Sequence, residues 1–127
     1  MIYSSKNVVI KMLDAFSNAD VDEILETVSD DSVWIYHGTQ IIPKSLFNGK
    51  EGVRDFFMNI FDRTEIIHFE TKQFIEEDNM VVALGREHQK VKRSGRELKQ
   101  NWVQIYTVEK GLITKMEEFA ASEVVEP

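Results

Sequence analysis

A chain of 127 residues and 14.8 kDa fits one domain, 1–127, long enough to bury a core without a metal or disulfide staple. Fifteen Lys+Arg against 22 Asp+Glu give a net charge of -7, which disfavours nucleic acid or an anionic membrane as the main partner. The absence of cysteine excludes disulfides, thiol nucleophiles and thiolate metal sites. It is compatible with a reducing compartment, and the start MIYSSKNVVIKMLDAF is too interrupted for a signal peptide, so a cytoplasmic location is expected.

Val9, Met12, Leu13 and Phe16 recur at helical spacing and predict a first amphipathic helix. Asp20 opens a second, with Val21, Ile24, Leu25 and Val28 as its stripe, and Asp20 with Glu23 matches a capping box. Val33 to His37, VWIYH, is a short β-prone run ended by Gly38, and a loop with Pro43, Asn48 and Gly49 follows. A third helix is expected from about Glu51, burying Val53, Phe56, Phe57, Ile60 and Phe61.

Four strand-like segments follow, at roughly 66–76, 79–91, 96–108 and 112–121. Their turn signals, Glu77-Asp78-Asn79, Arg93-Ser94-Gly95 and Glu109-Lys110-Gly111, predict an antiparallel meander. In the third of these segments, Leu98, Trp102, Tyr106 and Val108 share one face with Gln100 and Gln104, while Val103 and Ile105 occupy the other. Large apolar groups on both faces imply that one packs on the helices and the other encloses a second core or cavity, which the two glutamines would make partly polar. The expected class is therefore α+β, with helices against a bent antiparallel sheet.

No phosphate loop, dinucleotide fingerprint, zinc motif or nucleophile elbow is present. His37, His68 and His88 stand apart without a neighbouring ligand at metal spacing, so no metal site is expected. Trp34 and Tyr36 share one strand face and read either as core or as the wall of a ligand site. Glu118, among apolar neighbours, would have its pKa raised by burial and could serve as an acid or base near neutral pH. The segment GREHQ offers Arg86 and His88 from one face or Glu87 from the other. The basic turn KVKRSGR reads as a solvated hairpin.

Taken in order, VSDDSVWIYHG, the stretch G-x-x-G-V-R-D-F-F, VVALGRE and WVQIYTVEKGLITKMEEF resemble the SnoaL-like and ketosteroid-isomerase-related proteins of the nuclear-transport-factor-2-like superfamily. The resemblance spans nearly the whole chain and is carried best by Asp31, Trp34, Gly49, Gly52, Val53 and Phe57 with the Trp102 to Ile113 hairpin. It implies a cone-like curved antiparallel sheet packed against three N-terminal helices, an internal ligand cavity, and frequent dimerisation through the sheet. The family holds isomerases, polyketide cyclases, epoxide hydrolases and dehydratases beside non-catalytic modules, so fold alone does not select a function. By the resemblance, the isomerase's general base falls near Tyr36, its oxyanion-hole tyrosine at Met12 and its protonated aspartate near Trp102. Steroid isomerisation by that mechanism is therefore not expected. Glu118 is the nearest match to the cyclase carboxylate, and Gln104 stands where a pocket histidine often does; Arg86 with Glu118 matches the hydrolase set only loosely.

These observations lead to one set of expectations. Trp34, Tyr36, His37, His88, Trp102, Gln104 and Glu118 should contact a small, largely apolar organic ligand, with Glu118, Tyr36 and Arg86 as the catalytic candidates. No cofactor and no metal are implied. A homodimer is expected, and the alternative function is a non-catalytic module for protein interaction.

Overall fold

Ser4 caps the first helix, its side chain accepting from the Asn7 backbone N–H at 3.4 Å. In the computed structural model, which describes residues 4–38 and 45–123, the first helix α1 runs Ser5–Ser17. Asp20 caps α2 (Val21–Glu26) by accepting from the Glu23 N–H at 3.0 Å, the half of the capping box that the sequence required. Strand β1 (Val28–His37) follows, then the three-residue β2 (Leu46–Asn48), and α3 (Gly49–Arg63) starts from Gly49 at φ +71. The long strands are β3 (Thr64–Glu77), β4 (Met80–Val91), β5 (Glu97–Glu109) and β6 (Leu112–Ser122). Asp78, Gly95, Lys110 and Gly111 adopt positive φ in the three turns between them, where the turn signals lie. Pro43 of the predicted loop lies outside the described residues.

The six strands form one sheet in the order β2-β1-β6-β5-β4-β3. From β3 to β6 it is the antiparallel meander read from the turns. The cone-like, wholly antiparallel sheet expected from the resemblance is corrected in two respects. First, β1 pairs with β6 in parallel, so the sheet is mixed. Second, β2 and β3 are separate edges, and the sheet is open, neither closed nor strongly curled. The helices are not all N-terminal to the sheet either, because β1 and β2 precede α3.

Side chains alternate across the long strands with period two. The inner face carries Val81 and Ala83 on β4, Trp102 and Tyr106 on β5, Ile113 and Met116 on β6, and Trp34 on β1, all buried. Against it lie Val9, Met12 and Phe16 of α1 and Val53, Phe56 and Phe57 of α3, in one continuous core. Burying one such large apolar side chain stabilises the fold by about 1.5–3 kcal/mol. Aromatic rings set the spacing between the layers: Trp34 meets Phe57 edge-on at 5.4 Å and Phe56 at 5.7 Å, and Phe16 stacks near Phe61 at 5.6 Å. The sequence reading divided helices and cavity between opposite faces. In the structure they share the inner face, and none of the described helices contributes to a core on the other side.

Candidate functional site

Where the helices lift away from the inner face, a cavity of about 40 Å³ remains. A single water needs roughly 10–15 Å³, so the space suits a few waters or one compact ligand group. Met12, Leu13 and Phe16 of α1 and Phe56, Phe57 and Ile60 of α3 form its roof. Trp34 and Tyr36 of β1 and Thr64 and Phe69 of β3 close the sides. The floor is polar: Glu87 and Gln89 from β4, Gln104 and Tyr106 from β5, and Glu118 from β6.

Strand register explains how these groups converge. Ala83, Gln104, Glu118 and Tyr36 occupy one row across β4, β5, β6 and β1. The Tyr106 hydroxyl donates to Gln104 Oε1 at 2.5 Å, and Gln104 Nε2 donates to Glu118 Oε1 at 3.0 Å. That chain presents the carboxyl with a donor, which favours its ionised form. Burial opposes ionisation and wins, pushing Glu118 up to about 7. Glu87 accepts from Gln89 Nε2 at 3.1 Å and is pushed up to about 8, first by burial and then by the charge of Glu118. Burial, with Glu118 again adding to it, also raises Tyr106 well above the usual phenol range. The cavity thus brings together two carboxyl groups that change protonation near neutral pH, the condition under which a carboxyl can both take and return a proton.

Of the residues expected at the site, Trp34, Tyr36, Gln104 and Glu118 line the cavity. Tyr36 folds its ring over Gly38, where a Cβ would fall 2.4 Å from the phenol oxygen, so a glycine there makes room for the ring. Trp102 is on the inner face but turns away from the cavity. It lies across Gly85, whose added Cβ would sit 2.1 Å from Trp102 Cζ2, and stacks on Phe69 at 4.9 Å. Among the described residues its indole Nε1 and both amide atoms of buried Gln100 have no hydrogen-bond partner, a rare condition for buried polar groups.

Strand alternation places three further expected residues away from the cavity. His37, Arg86 and His88 sit at positions alternate to the cavity-lining Tyr36 and Glu87, and their side chains are on the outer face. There His37 Nε2 lies 2.8 Å from Glu117 with its ring stacked on Phe119 at 4.6 Å, and His88 Nε2 lies 2.8 Å from Glu97. Arg86 is clasped by Glu123. Glu87, weighed only as the alternative to Arg86 and His88, is the cavity residue, and Gln89 and Tyr106 were not singled out as ligand contacts. The signal for Glu87 was the run Val81, Ala83, Gly85: small residues at every second position leave space on one face, and Glu87 continues that face.

Among the described residues no three of His, Asp or Glu stand in a group able to hold a metal ion, and no helix is long and apolar enough to cross a membrane. A SnoaL-like domain family model matches residues 9–116. None of the curated proteins matches the sequence. Among solved structures, an NTF2-like protein from Burkholderia xenovorans LB400 is similar at 20% identity and TM-score 0.84, over 95% of this chain and 93% of that one. TerC, co-crystallised with polyporic acid, is 19% identical over 92% of this chain and 91% of its own, with TM-score 0.81. A protein of ketosteroid isomerase-like fold from Catenulispora acidiphila DSM 44928, in complex with trimethylamine, is 11% identical over 88% and 83%, with TM-score 0.76. At these identities the likeness is one of fold.

Proposed function

Because the chain belongs to the SnoaL-like domain family, we propose that it binds a small, largely apolar organic molecule between helices and sheet, and that Glu118 moves protons on it. One observation carries this reading: a buried carboxyl that accepts from the Gln104 amide faces a cavity roofed and walled mainly by aromatic and aliphatic side chains. Apolar walls supply affinity, and the few convergent polar groups fix orientation. Isomerisation, cyclisation and hydrolysis all need a group that accepts a proton at one step and returns it at another. Glu118, with its protonation midpoint near neutrality, has the chemistry for that task. Ligand identity does not travel with the fold, since TerC was co-crystallised with polyporic acid and the Catenulispora protein holds trimethylamine.

Native mass spectrometry of the purified chain against a small-molecule collection tests the binding half. A ligand lost when Gln104 is changed to Leu supports the cavity as its place. Glu118→Gln then tests the chemistry: size and hydrogen bonding are kept, while the exchangeable acid proton is lost. Turnover should fall by roughly 100-fold, the scale of losing one positioned acid or base. Retained binding with no turnover in the unaltered protein would instead favour the non-catalytic module.

The outer sheet face supports pairing with a second copy of the chain. Ile75, Val82 and Ile105 form one cross-strand row there, and Leu84, Val103 and Phe119 form the next. Ile75 is 48% and Phe119 45% exposed. A contiguous apolar patch on a sheet invites burial by another protein surface. Sedimentation at micromolar concentration should give a dimer, and Phe119→Lys should return it to monomer.

A further inference from the structure

Among the described residues the cavity holds two acidic side chains and no basic one. Its titratable lining groups among the described residues are Glu87, Glu118, Tyr36 and Tyr106; α1, α3 and β3 contribute none, and no described Lys, Arg or His lines it. The nearest basic residues in sequence, Arg86 and His88, are engaged by Glu123 and Glu97 on the outer face. Glu87 and Glu118 are 6% and 7% exposed, and each gives one oxygen to a glutamine amide. Among the described residues the second oxygen of each has no hydrogen-bond partner, although both groups line the open space. A buried carboxylate without a cation is costly, so the site either keeps its protons or receives a positive charge from outside.

The rest of the wall fits the second case. Trp34, Phe56 and Phe57 surround the same space, with ring centroids 5.1 to 5.7 Å apart and planes tilted 59 to 78°. Rings set at such angles present both faces and edges to the interior, and aromatic faces attract ammonium groups, most strongly where water is excluded. Opposite them lie the two acids. Small free volume points to a compact head group and away from an extended one. We infer that the ligand of this cavity is a small organic cation, an alkylated amine in its charged form, held between the carboxylates of Glu87 and Glu118 and the rings of Trp34, Phe56 and Phe57.

This inference rests on the cavity being a ligand site and adds the charge class of its occupant. Proton balance follows directly. A fixed cation displaces carboxyl protons to solvent, whereas an uncharged amine takes one of those protons itself and releases none. With Glu87 near 8 and Glu118 near 7 before binding, cation affinity should rise with pH across that window.

The test uses the full chain and two probes of nearly equal shape: choline, whose charge does not titrate, and dimethylbutanol, its uncharged carbon isostere. Calorimetry should show choline binding roughly tenfold or more tighter at about pH 8.5 than at about pH 6, with proton release, and dimethylbutanol binding weakly and independently of pH. Glu87→Gln and Glu118→Gln should each weaken choline roughly tenfold and leave dimethylbutanol unchanged, while Glu97→Gln on the outer face changes neither. The pH series on the unaltered protein decides the matter even where a variant fails to fold. Dimethylbutanol binding as well as choline, or choline binding that is flat or tighter at acid pH, overturns the cationic ligand and leaves the cavity reading standing. Exclusion of both probes, and of phenol as a neutral aromatic, overturns the cavity as a ligand site and this inference with it.

Discussion

The two faces of the sheet treat acidic residues in opposite ways. On the outer face Glu117, Glu97 and Glu123 each meet a cationic or ionisable partner, His37, His88 and Arg86 in turn. Arg86 holds Glu123 below the usual carboxylate range, so that group is charged throughout the physiological window. On the inner face Glu87 and Glu118, among the described residues, meet only amides, and burial pushes both above it. The same residue type thus meets a basic partner on one side and is a proton reservoir on the other, at strand positions one residue out of phase. Partner and solvent decide which chemistry a glutamate can do; sequence neighbours do not.

The largest expected effect breaks this contrast through pH. An unfolded glutamate loses its proton near 4.5, whereas folded Glu118 and Glu87 keep theirs to about 7 and about 8. Between those values the folded state binds more protons, so stability falls as pH rises. Their contribution is intact below about 4.5 and is lost through 7 to 8, by roughly 3 kcal/mol or more for each group at one pKa unit per 1.36 kcal/mol. Denaturant melts of Glu87→Gln across this range should show a flatter pH profile and higher stability than the parent above pH 8. An unchanged slope would mean that solvent reaches Glu87 freely.

A geometric prediction sharpens the comparison next. Gly85 is the point at which the inner face gives way to Trp102, and a Cβ there would also lie 2.2 Å from the Glu70 carbonyl oxygen. Neither the backbone nor an indole stacked on Phe69 can yield cheaply. Gly85→Ala should cost about 3 kcal/mol, the upper range for overpacking a filled core. Chemical denaturation measures it, and a loss below about 1 kcal/mol would show that Trp102 has an alternative position.

Much of this architecture is legible in local sequence, and the parts that are not have identifiable reasons. Asp20 with Glu23 marks a helix start, and the three turns after β3, β4 and β5 carry their signals within a few residues. Period two places Trp34 with Tyr36, and Gln104 with Trp102, on common faces. The same rule places His37 opposite Tyr36, so including both in one site conflicted with the alternation itself; it also places Arg86 and His88 opposite Glu87, and the expected site took the first pair. Strand β4 resisted assignment because Val82 and Leu84 on one face look as apolar as Val81 and Ala83 on the other. The outer sheet surface is apolar as well, and hydrophobicity therefore does not distinguish it from the core. The parallel pairing of β1 with β6 joins residues some eighty positions apart and leaves no local trace. Strand β2, with three residues, is too short for a periodic signal.

The smallest expected effect tests the outer face alone. His88 and Glu97 share a 2.8 Å contact, but the Glu97 side chain is 60% exposed, and an exposed pair of this kind contributes between zero and about 1 kcal/mol. His37 and Glu117 form a second such pair, separated from the cavity by the thickness of the sheet. His88→Ala should therefore shift the melting midpoint only slightly and leave ligand binding within experimental error. The matched inner-face change, Gln89→Ala, removes the one amide that donates to Glu87. Without that donor the ionised form loses support, so Glu87 should titrate at still higher pH and ligand affinity should change. Carboxyl carbon NMR titration of the two variants reads both effects. A shift in the Glu87 midpoint on replacing His88, equal to that on replacing Gln89, would show that the sheet does not insulate one face from the other.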